Sequence, residues 1–239
     1  MKIFKNEKLI RRNGKIGEYS SLGGMVVLVI GAYLAFSGLF KPETVTLRNQ
    51  IAMLGSMFLG IILAQIGNHF GLRYGKSPRP DEKLDTGLKG LHSDFNLFHY
   101  MAPASHVLVG PAGVWVMIPY HQRGKVEFRK SRWRLTGGGF LQGYLRFFGQ
   151  EALGRPDLEA AAEANAVIKF LAKKLDPTEI PEVKAILVFT NDTVELDAAE
   201  STVPALRLKQ LKDFMRQESK KHALANQEID EIAQLLKGE

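Results

Sequence analysis

Four histidines stand close together in this chain, at His92, His99, His106 and His121. Imidazole ligates transition metals and exchanges protons near neutral pH, so such a group first suggests a metal centre or a general base. Zinc motifs leave about two to five residues between paired ligands. These histidines follow no such spacing, and His99 and His106 fall on different predicted strands, so all four read as structural. The chain has no cysteine, which excludes thiolate sites and disulfides and suits a reducing compartment.

A basic stretch follows: Arg123, Lys125, Arg129, Lys130, Arg132 and Arg134, with Phe128 and Trp133 interleaved. Guanidinium groups contact phosphates and aromatic rings stack on bases, the chemistry of single-stranded nucleic-acid binding. Its strongest candidates are Arg129, Lys130, Arg132, Trp133 and Arg134. The same residues would equally suit anionic lipid headgroups or a solvated hairpin. Residues 137–148 are glycine-rich but lack the Lys-Ser or Lys-Thr of a phosphate loop, and their aromatic side chains suit packing or a membrane interface.

The elements that would position these residues form a mixed pattern. Acids open residues 81–91, and Leu84, Leu88 and Leu91 recur at helical spacing, predicting a short amphipathic helix that ends near Gly90. Residues 95–101 predict an aromatic strand. Apolar runs at 106–109 and 114–118 flank Gly110-Pro-Ala-Gly113, a hairpin signal, and 125–129 alternates as another strand. A helix is predicted over 156–175, with Pro156 in its first turn, acids near its start and Lys173 and Lys174 near its end. Residues 183–189 predict a central strand, 204–208 a short one, and 209–236 a predominantly helical segment, with 217–239 as an amphipathic C-terminal extension. The expected fold class is α/β with a mixed sheet.

Ahead of this pattern lie two stretches, 20–40 and 49–72, without a single Asp, Glu, Lys or Arg. A helix of about 20 residues crosses a hydrocarbon core of roughly 30 Å. A transmembrane hairpin is therefore expected over 20–72, with helices at about 20–40 and 49–72, preceded by a basic segment 1–19 and followed by a linker 73–80. Two buried core helices or a cleaved leader fit less well, because the first stretch keeps no polar stripe and exceeds a leader's apolar region. Lys2, Lys5, Lys8, Arg11, Arg12 and Lys15 precede the hairpin and Arg73, Lys76 and Arg79 follow it, which places both termini on the cytoplasmic side of the cytoplasmic membrane. Ala52, Ser56, Gly60 and Ala64 on the second helix, and Gly24, Gly31, Ala35 and Gly38 on the first, suit close pairing within the chain or in a homodimer. No ionisable residue lies mid-span, which argues against a channel or transporter. The net charge of +7 concentrates in these flanks, since residues 81–239 hold 21 basic and 22 acidic side chains. It is poor evidence for a nucleic-acid partner.

The run Ser105-His-Val-Leu-Val-Gly-Pro-Ala-Gly-Val-Trp-Val-Met-Ile-Pro-Tyr120 resembles the hairpin of the NERD (nuclease-related) domain. So do Val188-Phe-Thr-Asn-Asp-Thr-Val-Glu-Leu-Asp197, Val203-Pro-Ala-Leu and Leu208-Lys-Gln-Leu-Lys-Asp-Phe214. The resemblance covers 81–216 and implies a restriction-endonuclease-like mixed sheet flanked by helices. In that family the first hairpin strand begins with Asp and the second ends in Glu-x-Lys. The carboxylates hold a divalent metal that activates water, and the lysine offsets developing charge. Here those positions hold Ser105, Ile118 and Tyr120, none of which replaces the group it stands for. Glu82 matches an acid of the opening helix, and the family's Asn-Pro-x-x-Gln helix start reads Arg155-Pro-Asp-Leu-Glu159. The resemblance thus implies the fold without the active site.

The expected protein is membrane-anchored and non-catalytic, acting in binding or scaffolding, with the bilayer as partner and no cofactor. One alternative is a membrane-tethered nuclease using magnesium at a relocated site, to be sought around Glu82, Ser105, His106, Tyr120 and His121. The other is a nucleic-acid-binding module.

Overall fold

The computed structural model describes residues 1–41, 43, 45–136, 153–176, 179–221 and 224–238, with the side chain of Leu39 excluded. The glycine-rich stretch 137–148 lies outside them. The chain divides into two compact units, Glu7–Arg79 and a second made of Met1–Asn6 with Pro80–Glu239.

The first unit is a helical hairpin of α1 (Glu7–Phe40) and α2 (Leu47–Phe70), extended by a π-helical turn at Gly71–Gly75. Thr46 caps α2, its hydroxyl accepting from the Asn49 amide at 3.3 Å. Small residues let the backbones meet. A methyl group added at Gly24 would lie 3.0 Å from the Ala64 amide nitrogen, and one at Gly60 would lie 2.5 Å from Leu28 Cγ. The small-residue seam is therefore used within the chain. Gly17 and Gly67, which the sequence reading left out, extend it towards Gly71 and Ser21. Both helices are long and apolar enough to cross a membrane, and only 11% of each most apolar window is buried. Val29, Tyr33, Phe36, Ile51 and Phe58 all stand exposed.

The second unit begins with β1 (Lys2–Lys5), and after the hairpin continues with α3 (Pro80–Gly87), β2 (Asn96–His99), β3 (His106–Gly110) and β4 (Gly113–Tyr120). Next come β5 (Lys125–Arg129), β6 (Arg132–Thr136), α4 (Pro156–Leu171), β7 (Val183–Phe189), β8 (Glu195–Asp197) and β9 (Ala205–Arg207). The helices α5 (Leu208–Lys221) and α6 (Asn226–Lys237) close it. The main sheet runs β1-β2-β3-β4-β7-β9, and a smaller one runs β6-β5-β8. The strands β2, β3 and β4 form an antiparallel meander, while β1 joins β2, β7 joins β4 and β9 joins β7 in parallel.

Alternation along the strands sorts the core into two layers. Leu97, Leu108, Met117, Ile186 and Val188 face α3 and α5, packing on Leu84, Leu88, Leu211 and Met215. Phe98, Val107, Val116, Ile118 and Leu187 face α4 and α6, packing on Val167, Leu171, Ile229 and Ile232.

Several boundaries differ from expectation. The segment 1–19 is not a separate basic flank: Phe4 stacks on Phe98 with ring centroids 5.0 Å apart, drawing residues 2–5 into the sheet, and α1 already begins at Glu7. The short helix begins at Pro80, inside the expected linker, and ends at Gly87. The helix expected over 156–175 ends at Leu171. The segment 209–236 divides into two helices. The expected extension 217–239 is no appendage, because Ile229, Ile232, Ala233 and Leu236 of α6 belong to the core. Between β7 and β9, where no element is expected, the chain forms β8, which pairs with β5.

Candidate functional site

On the α3 face a chain of buried and half-buried ionisable groups links four elements. Helical spacing sets Asp81 and Asp85 one turn apart on the same side of α3. Lys5 on β1 reaches between them, its Nζ donating to Asp81 Oδ2 at 2.8 Å and Asp85 Oδ2 at 2.5 Å. His99 and His106 are register partners across β2 and β3. His99 Nε2 lies 3.0 Å from Asp85 Oδ1, and the two histidine Nδ1 atoms lie 2.7 Å apart. A carboxylate only accepts, so His99 carries its proton on Nε2, and one further proton lies between the two Nδ1 atoms.

Burial pushes the Asp85 carboxyl up, but the hydrogen bonds and charges of His99 and Lys5 outweigh it and hold it below the usual carboxylate range. Burial likewise pushes Lys5 down, and Asp81 and Asp85 reverse the sign, leaving its ammonium above its ordinary value.

A carboxylate that orients an imidazole pair has the form of a proton relay. His99 is 0% exposed and His106 2%, however, so substrate has no access to either ring. The cluster works as an internal clasp that fastens β1 and α3 to β2 and β3. The loop between the histidines is tight: Tyr100 adopts φ 59°, packs its ring edge-on to His106 and donates from its amide to the Ser105 carbonyl at 2.8 Å.

The positions matched to the nuclease motif fall mainly on the other face. Ile118 and Tyr120 belong to the layer covered by α4, whereas Glu82 sits on α3, so the set Glu82, Ser105, Ile118 and Tyr120 is divided between the faces. What meets Ser105 and Tyr120 is a pair of carboxylates from α4, one turn apart. Tyr120 Oη donates to Glu159 Oε2 at 2.5 Å, and the Ser105 amide donates to Glu163 Oε2 at 3.3 Å. Ile118 is buried in the core.

The Phe-Thr-Asn segment secures this end of the sheet. The Thr190 amide and hydroxyl both donate to the Tyr120 carbonyl, at 2.7 and 3.1 Å. Asn191 Nδ2 donates to the His121 carbonyl at 3.3 Å, and its Oδ1 accepts from the Thr193 amide at 3.0 Å. Neither His92 nor His121 joins the histidine pair. His92 is exposed beside Asp94, and His121 is exposed past the end of β4. Among the described residues no group of three or more His, Asp or Glu is arranged to hold a metal ion.

The basic candidates occupy the β5–β6 hairpin, which turns through Lys130 and Ser131 at φ 52° and 57°. Arg129 pairs with Arg132 and Glu127 with Arg134 across the strands, so Arg129, Arg132 and Arg134 share a face. Phe128 and Trp133 pair on the opposite face, their centroids 5.0 Å apart, and Trp133 packs against the core. Acids break up the basic row: Lys125 lies 2.5 Å from Glu127, and Arg129 donates to Asp197 at 2.9 Å.

Sequence reasoning missed Lys5, Asp81, Asp85 and Glu163. The available signals were the i, i+4 acids of α3 and the pairing of strands 95–101 and 106–109, which sets His99 opposite His106. Compared with protein-family models, with curated proteins and with solved structures, the chain matches none.

Proposed function

We propose that this chain is an integral protein of the cytoplasmic membrane, anchored by the α1–α2 hairpin with both termini cytoplasmic, whose α/β unit has a NERD-like, restriction-endonuclease-like build and serves in binding or scaffolding. The exposed apolar surface of both helices supports the membrane reading, since water-soluble proteins rarely leave so large a contiguous apolar surface uncovered. Basic flanks support the orientation. The order α3, meander β2–β3–β4, α4, then β7 parallel to β4 supports the fold assignment.

One observation carries the non-catalytic reading. Where the nuclease resemblance calls for a lysine and an amide, Tyr120 donates to Glu159, and the nearby Glu163 accepts from the Ser105 backbone. The carboxylates at this hairpin accept from a hydroxyl and a backbone amide of the protein itself, and Asp81 and Asp85 of α3 accept from Lys5. An activated metal-bound water needs carboxylates aimed at the ion.

The test is cleavage of single- and double-stranded DNA and RNA by the full chain in detergent with magnesium or manganese. Expected is no cleavage above that of a Glu159→Gln/Glu163→Gln variant; metal-dependent cleavage abolished by Glu82→Ala would establish the nuclease instead. Orientation is separately testable, because the chain has no native cysteine. A membrane-impermeant maleimide on intact cells should label Glu43→Cys and spare Lys209→Cys, and the opposite pattern reverses the topology.

The shared face of Arg129, Arg132 and Arg134 favours nucleic-acid binding as a second reading. The separation of Phe128 and Trp133 from that face removes the stacking platform such binding uses. Salt-sensitive binding of the full chain, weakened by Arg132→Ala/Arg134→Ala, would support it.

A further inference from the structure

At one end of the hairpin, α1 and the turn after α2 line a half-open cavity of about 710 Å³. Arg11, Lys15, Lys76 and Arg79 line it with a single acid, Glu18. Close backbone approach builds its walls: a methyl group added at Gly17 would lie 2.8 Å from the Gly71 amide nitrogen, and one at Gly14 3.0 Å from the Tyr74 carbonyl oxygen. The π-helical turn ends with the Lys76 amide donating to the Gly71 carbonyl at 3.3 Å. A π turn widens the helix locally and is frequent at functional sites. Tyr74 adds an amphipathic ring of the kind that settles at a membrane interface.

The cavity's place along the hairpin is as telling as its charge. Arg11 and Lys15 stand just before the charge-free stretch 20–40, and Lys76 and Arg79 just after 49–72. Its cations therefore lie where the apolar spans give way to polar chain, the level of lipid phosphates.

We propose that this cavity binds the phosphate headgroup of an anionic phospholipid. The proposal rests on the membrane reading above. Four cations against one acid favour a phosphodiester anion, as basic pockets between transmembrane helices do. The volume lies within the roughly 300–1,000 Å³ usual for ligand pockets and exceeds the need of a lone phosphate, leaving room for the glycerol of the headgroup.

The test uses the full chain in nanodiscs of phosphatidylcholine doped with phosphatidylglycerol, with bound lipid counted by native mass spectrometry. Expected is selective retention of phosphatidylglycerol over phosphatidylcholine, reduced about tenfold or more by Arg11→Gln/Lys76→Gln. The control Lys41→Gln/Arg48→Gln removes equal charge at the other end of the hairpin and should leave retention unchanged. Equal retention of both lipids, or an equal loss in the control, overturns the proposal. So does displacement of the lipid by millimolar inorganic phosphate, which would make this a free-anion site. Extraction of native membranes with alkaline carbonate distinguishes the two levels: release of the chain sinks the membrane reading itself, whereas a chain that stays put without lipid selectivity sinks only the cavity.

Discussion

On the α3 face of the main sheet, Lys5, Asp81, Asp85, His99 and His106 join ionisable group to ionisable group, with Asp81 and His99 wholly buried. On the α4 face, Tyr120 and Ser105 meet the half-buried Glu159 and Glu163 through a hydroxyl and an amide. Burial explains the difference. A carboxylate taken wholly out of water needs an opposite charge, because its desolvation is otherwise uncompensated. A carboxylate that keeps part of its hydration can be held by neutral donors, with water completing its shell. Polar groups on the first face are thus fastenings of the fold, while those on the second remain closer to solvent, which is where any partner would have to engage them.

The harshest challenge to that contrast is removal of Lys5. Lys5→Met leaves Asp81 buried without its ammonium partner and should destabilise the α/β unit by about 3–5 kcal/mol, the usual cost of breaking a buried pair from one side. Urea unfolding in mild detergent, followed through the buried Trp115, measures it. Adding Asp81→Leu should recover much of the loss, because a well-packed apolar pair often replaces a buried ion pair without penalty. A loss under about 1 kcal/mol for Lys5→Met would make the α3 cluster no different from a surface pair.

A pH series sharpens the same contrast at smaller amplitude. Asp85 is held below the usual carboxylate range, so its contribution is present above the unfolded value near pH 4 and is lost as pH falls through its lower folded value. Lys5 is held above its ordinary value of 10.5, so its contribution is complete below that pH and is lost as pH rises beyond it. Asp85→Asn should remove the acid limb attributable to this group. An unchanged acid limb in that variant would assign it to other carboxylates.

The contrast also explains what could be read in advance. Runs such as 106–109 and 183–189 announce strands because apolar, β-branched residues admit few other structures, and the charge-free stretches announce themselves by length alone. The clasp did not, because Lys5 lies 76 and 80 residues from the acids it joins and looked like one more basic residue ahead of an apolar helix. Strand β6 was hidden because Lys130-Ser131 turns the hairpin without the Asn-Gly or Asp-Gly pair that marks such a turn. Glu163 was hidden because an acid on a helix reads as solvated until the element facing it is known.

The gentlest test lies on the α4 face. Tyr120→Phe deletes one hydroxyl and its 2.5 Å bond to Glu159 while keeping the ring stacked on Phe189, whose centroid lies 5.5 Å away. Because Glu159 is only half-buried, water can take the vacated place, and the expected cost is about 1 kcal/mol, the net value of an ordinary hydrogen bond. A double-mutant cycle with Glu159→Gln isolates that bond from the rest of each side chain and should return a coupling of the same size. A coupling near that of the Lys5–Asp81 pair would mean that Glu159 is as dependent on its protein partner as the buried aspartate. In that event burial would no longer separate the two faces, and the hairpin end of the sheet would have to be counted among the fastenings of the fold.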